Sequence, residues 1–118
     1  TFKYRIYALQ IMYKKDLLTA VITPDRFPRL QNIMFCKFDP NDYDCLIEFL
    51  SKFKLNLLML SIENLSEAMA NNLADAILQN GRVGKVVILP ASSNYPLLQY
   101  YKQFTSDQWN NFEEGDFF

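Results

Sequence analysis

The chain has 118 residues, half of them hydrophobic and 15% aromatic, which suits one domain with a real core and excludes a disordered tail. Its 12 basic and 13 acidic residues leave a net charge of −1, and the basic ones stand singly or in isolated pairs such as Lys14-Lys15, which argues against nucleic-acid binding by counterion release. Histidine is absent, so the usual general base and the commonest metal ligand are missing; neither catalysis, a metal nor another cofactor is expected.

In chain order, strand-like segments alternate with helical ones. "YRIYALQIM" places apolar residues at Tyr4, Tyr7, Leu9 and Met12. Asp16 then caps a short helix carrying Leu17, Leu18 and Val21, which Pro24 ends. "LQNIMFCKF" repeats the spacing at Leu30, Ile33, Phe35 and Phe38. Asp39-Pro40 supplies the N-cap and first residue of a helix whose apolar stripe is Tyr43, Leu46, Ile47, Leu50 and Phe53. "LLMLSIENL" gives Leu57, Leu60, Ile62 and Leu65. Ser66 caps the next helix, Met69, Leu73, Ala76 and Ile77 form its stripe, and Asn80-Gly81 ends it with a left-handed turn. "VGKVVILPA" gives Val83, Val86, Ile88 and Ala91, after which Asn94 and Pro96 start a helix with Leu97, Leu98, Tyr101 and Phe104.

The four matches begin at 4, 30, 57 and 83, in steps of 26, 27 and 26 residues. A near-constant step of this size marks stacked strand–helix units, each too small to bury its apolar face alone. The pattern LxxLxLxx(N/C)xL in these segments resembles the leucine-rich-repeat family of the ribonuclease-inhibitor-like kind, over nearly residues 4 to 104. The member is irregular: Tyr4 replaces Leu, Asn64 falls one place early, and Cys36 sits within a strand. The resemblance implies an α/β solenoid of about four units with a parallel sheet over residues 1–104, and an acidic, aromatic tail or cap over 105–118. "RFPRLQNI" is also similar to the divergent repeats that follow F-boxes, which implies the substrate-recognition part of a ubiquitin-ligase subunit.

One alternative stays open, a small doubly wound flavodoxin-like α/β domain binding a nucleotide or flavin. Strands of that kind run solidly apolar, whereas these segments interleave Arg5, Gln10, Asn32, Lys37, Ser61, Glu63 and Lys85. "GRVGK" also precedes a strand, where a phosphate loop would follow one.

In leucine-rich repeats the residues between core positions face the concave surface. The resemblance therefore implies a protein-binding face of Asn32, Met34, Cys36, Met59, Ser61, Glu63, Lys85 and Val87, around a middle column of Ala8, Met34, Ser61 and Val87. The methionines suit an adaptable contact surface. The expected activity is non-catalytic binding of a protein partner. Trp109 and Phe112 in the tail are expected either to fold over the last repeat or to contact that partner. Cys36 and Cys45 form no disulfide framework, and neither an apolar span nor a basic leader is visible. The expectation is a cytoplasmic or nuclear chain, part of a longer protein or a complex.

Overall fold

A computed structural model describes residues 3–80 and 82–91, together with the backbone of residues 110–112. Strand β1 (Ala8–Met12) leads into a π-helical turn, Leu17–Val21. Strand β2 (Asn32–Cys36) is followed by a 3-10 turn, Pro40–Asp42, and helix α1 (Tyr43–Leu50). Strand β3 (Leu55–Ile62), helix α2 (Glu67–Asn80) and strand β4 (Val83–Pro90) come next, and β5 (Asn110–Phe112) is the last described element.

The caps read from the sequence have local causes. Asp39 Oδ1 accepts from Asn41 N at 2.9 Å, so the short polar side chain opens the 3-10 turn and α1 begins only at Tyr43. Ser66 Oγ accepts from Met69 N at 3.1 Å at the start of α2. At its far end Asn80 Nδ2 donates to Ala76 O at 2.9 Å. Asp16 differs: its backbone is already helical and its side chain makes no cap bond. Three buried residues, Leu17, Leu18 and Val21, anchor that turn, so packing holds it where capping does not. The expected left-handed Gly81 and the expected helix at 94–104 lie outside the described residues.

All pairings in the sheet are parallel, and the strand order is β4-β3-β2-β1-β5. Strands β1 to β4 thus neighbour one another in chain order, as the alternation of strand and helix anticipates. The chain is α/β with a parallel sheet. Among the described residues no helix is long and apolar enough to cross a membrane.

The register differs from the repeat. Leu9 stands opposite Ile33, Ile33 opposite Leu58, and Leu58 opposite Val86, giving offsets of 24, 25 and 28 residues. The helical connections spend different numbers of residues between the strands, so a constant step in sequence gives unequal offsets. Within β3, Leu57 and Leu60 are three residues apart. Side chains alternate along a continuous strand, so Leu57 and Leu60 must point to opposite faces.

One face of the sheet carries the main core. Leu9, Ile11, Ile33, Phe35, Leu58, Leu60 and Ile62 pack there with Leu17, Leu18, Leu46, Phe49, Leu50, Leu73 and Ile77 from the helical segments. The edge contacts of Phe35 with Phe49 (6.0 Å between ring centroids) and with Tyr13 (5.7 Å) tie the sheet to α1 and to the end of β1. The other face has its own smaller apolar cluster: Ala8, Met34, Leu57, Met59 and Leu89, with Cys36 and Val87 against it.

Candidate functional site

The second face is where the sequence places a binding surface, and the structure puts most of the named residues there. Their exposure is what differs. Asn32, Met34, Met59 and Ser61 are buried, Cys36 and Val87 are half-buried, and only Glu63 and Lys85 are exposed. Strands apolar on both sides are built to be covered on both sides. The sequence reading missed this because it counted residues that flank the strands. Arg5, Lys37 and Glu63 all lie beyond the strand ends, so β2 and β3 are more apolar than their surrounding segments.

The rows across this face also shift. Gln10, Met34, Met59 and Val87 are successive cross-strand partners, and so are Ala8, Asn32, Leu57 and Lys85. Ser61 leaves the expected middle column and stands opposite Leu89. Asn32 is buried, and its Oδ1 has no hydrogen-bond partner among the described residues. Burial pushes the Cys36 thiol above its ordinary range, and a hydrogen bond with Gln10 offsets part of that. A thiol held protonated is a poor nucleophile.

Polar groups gather instead at the carboxyl ends of the strands. Just past β2, Lys37 adopts a left-handed backbone conformation (φ 57°), and just past β3, Asn64 does the same (φ 55°). Ser61 fixes the first of these turns: its Oγ accepts from Lys37 N at 2.7 Å, and its carbonyl accepts from Phe38 N at 2.7 Å. The Ile62 carbonyl accepts from Ala91 N at 2.9 Å, which draws the end of β4 alongside. Between these turns lies a cleft of about 430 Å³ lined by Lys37, Glu63, Asn64, Leu65, Pro90 and Ala91. Lys37 Nζ lies 3.9 Å from Glu63 Oε1, with both side chains largely in solvent, so the pair is loose and either charge can turn to a partner.

Further along the same rim, Tyr13 follows β1. Its hydroxyl donates to Asp42 Oδ2 at 2.5 Å, and its ring packs edge-on against Phe38 at 4.7 Å. Burial, with the Asp42 carboxylate accepting its hydrogen bond, holds this phenol far above the ordinary tyrosine range. The group is locked as a hydrogen-bond donor to Asp42. Among the described residues no three His, Cys, Asp or Glu side chains converge as a metal site would require.

Of the residues singled out from sequence, the rim unites Glu63 with Ser61, which acts through the Lys37 amide. Lys37 and Asn64 were missed as a pair. The available signal was polar residues recurring immediately after two apolar strands, the place where parallel sheets present loops. Trp109 lies outside the described residues. Phe112 stands opposite Ile11 on the outer side of β1, at the edge of the first strand and not of the fourth. In comparisons with known proteins, no family model, curated protein or solved structure matches this chain.

Proposed function

We propose that this chain is a protein-interaction module, an irregular leucine-rich-repeat-like coil of strand–helix units that engages a protein partner through the carboxyl rim of its sheet. The observation that carries the reading is the paired left-handed turns. Two non-glycine residues, Lys37 and Asn64, hold left-handed backbone at neighbouring strand ends, a conformation that Asn tolerates and Lys does not favour, beside an exposed Glu63 and an open cleft. A left-handed L-residue costs roughly 1 kcal/mol, and such strain gathers where it serves binding or switching. The opposed charges of Lys37 and Glu63 suit a mixed-charge protein surface, and Leu65, Pro90 and Ala91 offer the apolar floor for one partner side chain. Strand neighbours in chain order and helical segments packed on one face support the coil.

A capture experiment from a eukaryotic cell lysate tests it. The chain is compared with Glu63→Lys and with Lys37→Glu, substitutions at exposed positions that leave the core untouched. Proteins held by the unchanged chain and lost with Glu63→Lys are the expected result. An identical set on all three baits would remove the rim from consideration.

One observation favours a second reading. Strand β5 lies beyond β1, so the chain-order sequence of strands reverses there, and both faces of the sheet are apolar. A doubly wound sheet binds its small-molecule ligand outside the strand ends at such a reversal, and Tyr13 stands at that end of β1. The segment after β1, Tyr13-Lys14-Lys15-Asp16, has no glycine to let a backbone approach a phosphate. A thermal-shift panel of nucleotides and flavins decides: a saturable rise in Tm supports this reading, and a flat panel rejects it.

A further inference from the structure

We infer that the amino-terminal rim of the sheet is a docking site for an extended acidic segment of a protein partner, read by Arg5, Arg29, Lys54 and Arg82. This rim lies at the opposite end of the strands from the carboxyl rim, and neither proposal needs the other.

The sequence scatters its basic residues, and the parallel sheet gathers them. Strands β1 to β4 all run the same way, so the segments that enter them meet at one end. Lys3 and Arg5 precede β1, and Arg26 and Arg29 precede β2. Lys52 and Lys54 precede β3, and Arg82 precedes β4. Against these seven, the entering segments (3–7, 22–31, 51–54 and 82) carry one acidic residue, Asp25. Hydrogen bonds stitch the segments side by side. Tyr4 N donates to Arg26 O at 2.7 Å and Gln31 N to Tyr7 O at 2.9 Å. Asn56 N donates to Gln31 O at 2.7 Å and Leu55 N to Arg82 O at 3.0 Å.

Helix dipoles account for only part of this charge. Helices α1 and α2 both end at this rim, where cations complement the terminal carbonyls, and Lys52 and Arg82 lie within two residues of those ends. Among the described residues no α-helix ends before β1 or between β1 and β2, so Arg5 and Arg29 have no such role. Arg5, Arg29, Lys54 and Arg82 are exposed, and among the described residues no carboxylate pairs with them. Like charges gathered without counterparts repel one another, and an anionic partner relieves that repulsion.

Two features fit a peptide better than a nucleic acid or a membrane. The first is size. Neighbouring strands lie about 4.8 Å apart, so four strand entries make a strip about 15 Å long. Nucleic-acid affinity is built from many phosphate contacts, which so short a strip cannot supply. Three carboxylates at alternate positions of an extended segment cover about 13 Å and match it. The second is an exposed amide pair at the centre of the strip, where Asn56 Nδ2 donates to Gln31 Oε1 at 3.0 Å. That bond leaves the Gln31 amide nitrogen as a donor and the Asn56 side-chain carbonyl as an acceptor. A main-chain peptide unit complements both, whereas a phosphate oxygen only accepts.

The test is calorimetric titration of the full chain with three capped threonine heptapeptides. One carries glutamate at its second, fourth and sixth positions, one carries glutamine there, and one carries the three glutamates adjacent. The expected result is saturable binding of the alternating glutamate peptide, at least tenfold tighter than the glutamine peptide and at least threefold tighter than the adjacent isomer. Arg29→Gln/Lys54→Gln should weaken it at least tenfold, whereas Lys37→Glu at the carboxyl rim should leave it unchanged. No binding, equal affinity for the glutamate and glutamine peptides, or equal affinity for the two glutamate isomers would each overturn the proposal. An affinity that survives Arg29→Gln/Lys54→Gln, or that is lost with Lys37→Glu, would overturn it as well. Tighter binding of oligothymidylate or of phosphatidylserine vesicles would overturn it in favour of a nucleic acid or a membrane. Salt-sensitive self-association, absent from Arg29→Gln/Lys54→Gln, would overturn it by making a second copy the occupant. If that double variant does not fold, the three peptides on the unchanged chain decide.

Discussion

Met34 on β2 and Met59 on β3 stand directly opposite each other across the parallel ladder, 2% and 0% exposed. They are the centre of the second apolar cluster, between Gln10 on one side and Val87 on the other. A surface built for an external ligand would leave such residues in water. Here they hold the second face together.

The double substitution Met34→Glu/Met59→Glu therefore acts on the fold before it acts on any binding. Two carboxylates placed side by side in an apolar cluster meet a desolvation cost and each other's repulsion, and a loss of several kcal/mol is expected. Far-UV circular dichroism with a urea titration should show a chain unfolded or nearly so at 25 °C. A cooperative transition at the unchanged midpoint would mean that this face is open to water.

The left-handed turns predict a separation of stability from binding. Lys37→Gly removes the Cβ that opposes φ 57° and should raise stability by up to about 1 kcal/mol, after the larger chain entropy of glycine is subtracted. The same change deletes the rim's ammonium group and should weaken capture of the rim partner. Denaturation midpoints and capture measured on one preparation check both halves. A Lys37→Gly chain less stable than the unchanged one would show that the Lys37 conformation is not strained.

Much of the fold was legible because it rests on local signals. The alternation of strands and helical segments through β4, the Asp39 and Ser66 caps, and the buried α1 residues Leu46 and Leu50 follow from periodicity and short polar side chains, and these are seen; Phe53, expected on the same stripe, is buried but lies past the end of α1. Register was not legible. It depends on how many residues each connection spends between strands, and the π-helical turn after β1 spends them differently from α1 or α2. A constant step in sequence therefore became three unequal offsets. The site was harder still. Which residues face away from the helices was implied by the resemblance to leucine-rich repeats, whereas their burial depended on what the second face packs with, and a repeat pattern carries no such term. The pairing of β5 with β1 joins residues some hundred positions apart, and nothing local announces it.

Ser61→Ala separates two roles of one residue. The hydroxyl is the acceptor for Lys37 N, and its removal leaves that amide unpaired at a turn only partly open to water. A loss of about 1–3 kcal/mol is expected, more than a surface serine would give. Hydrogen exchange should locate the change, with faster exchange at Lys37 and Phe38 and little effect on α2. Uniform acceleration across the sheet would assign Ser61 a packing role in place of the turn-fixing one.

Tyr13 gives the chain a pH dependence whose sign is fixed by the direction of its shift. In the folded chain, burial and the accepting Asp42 carboxylate hold the phenol protonated well above the ordinary tyrosine value of about 10. In the unfolded chain it ionises near that ordinary value. The folded state thus binds its proton more tightly, and the stabilisation is complete below about pH 10 and is lost as pH rises above it. Removing the hydroxyl with Tyr13→Phe should cost roughly 1–3 kcal/mol at pH 7, the range for a hydrogen bond to a charged acceptor. The difference between the two chains should shrink as pH climbs above about 10, because only the unchanged chain gains a proton to release on unfolding. Urea midpoints of both chains from pH 7 to pH 11 read this directly, with the other tyrosines and the lysines common to each. A difference that stays constant across that range would mean that Tyr13 ionises alike in both states, and that its bond to Asp42 does not persist in solution.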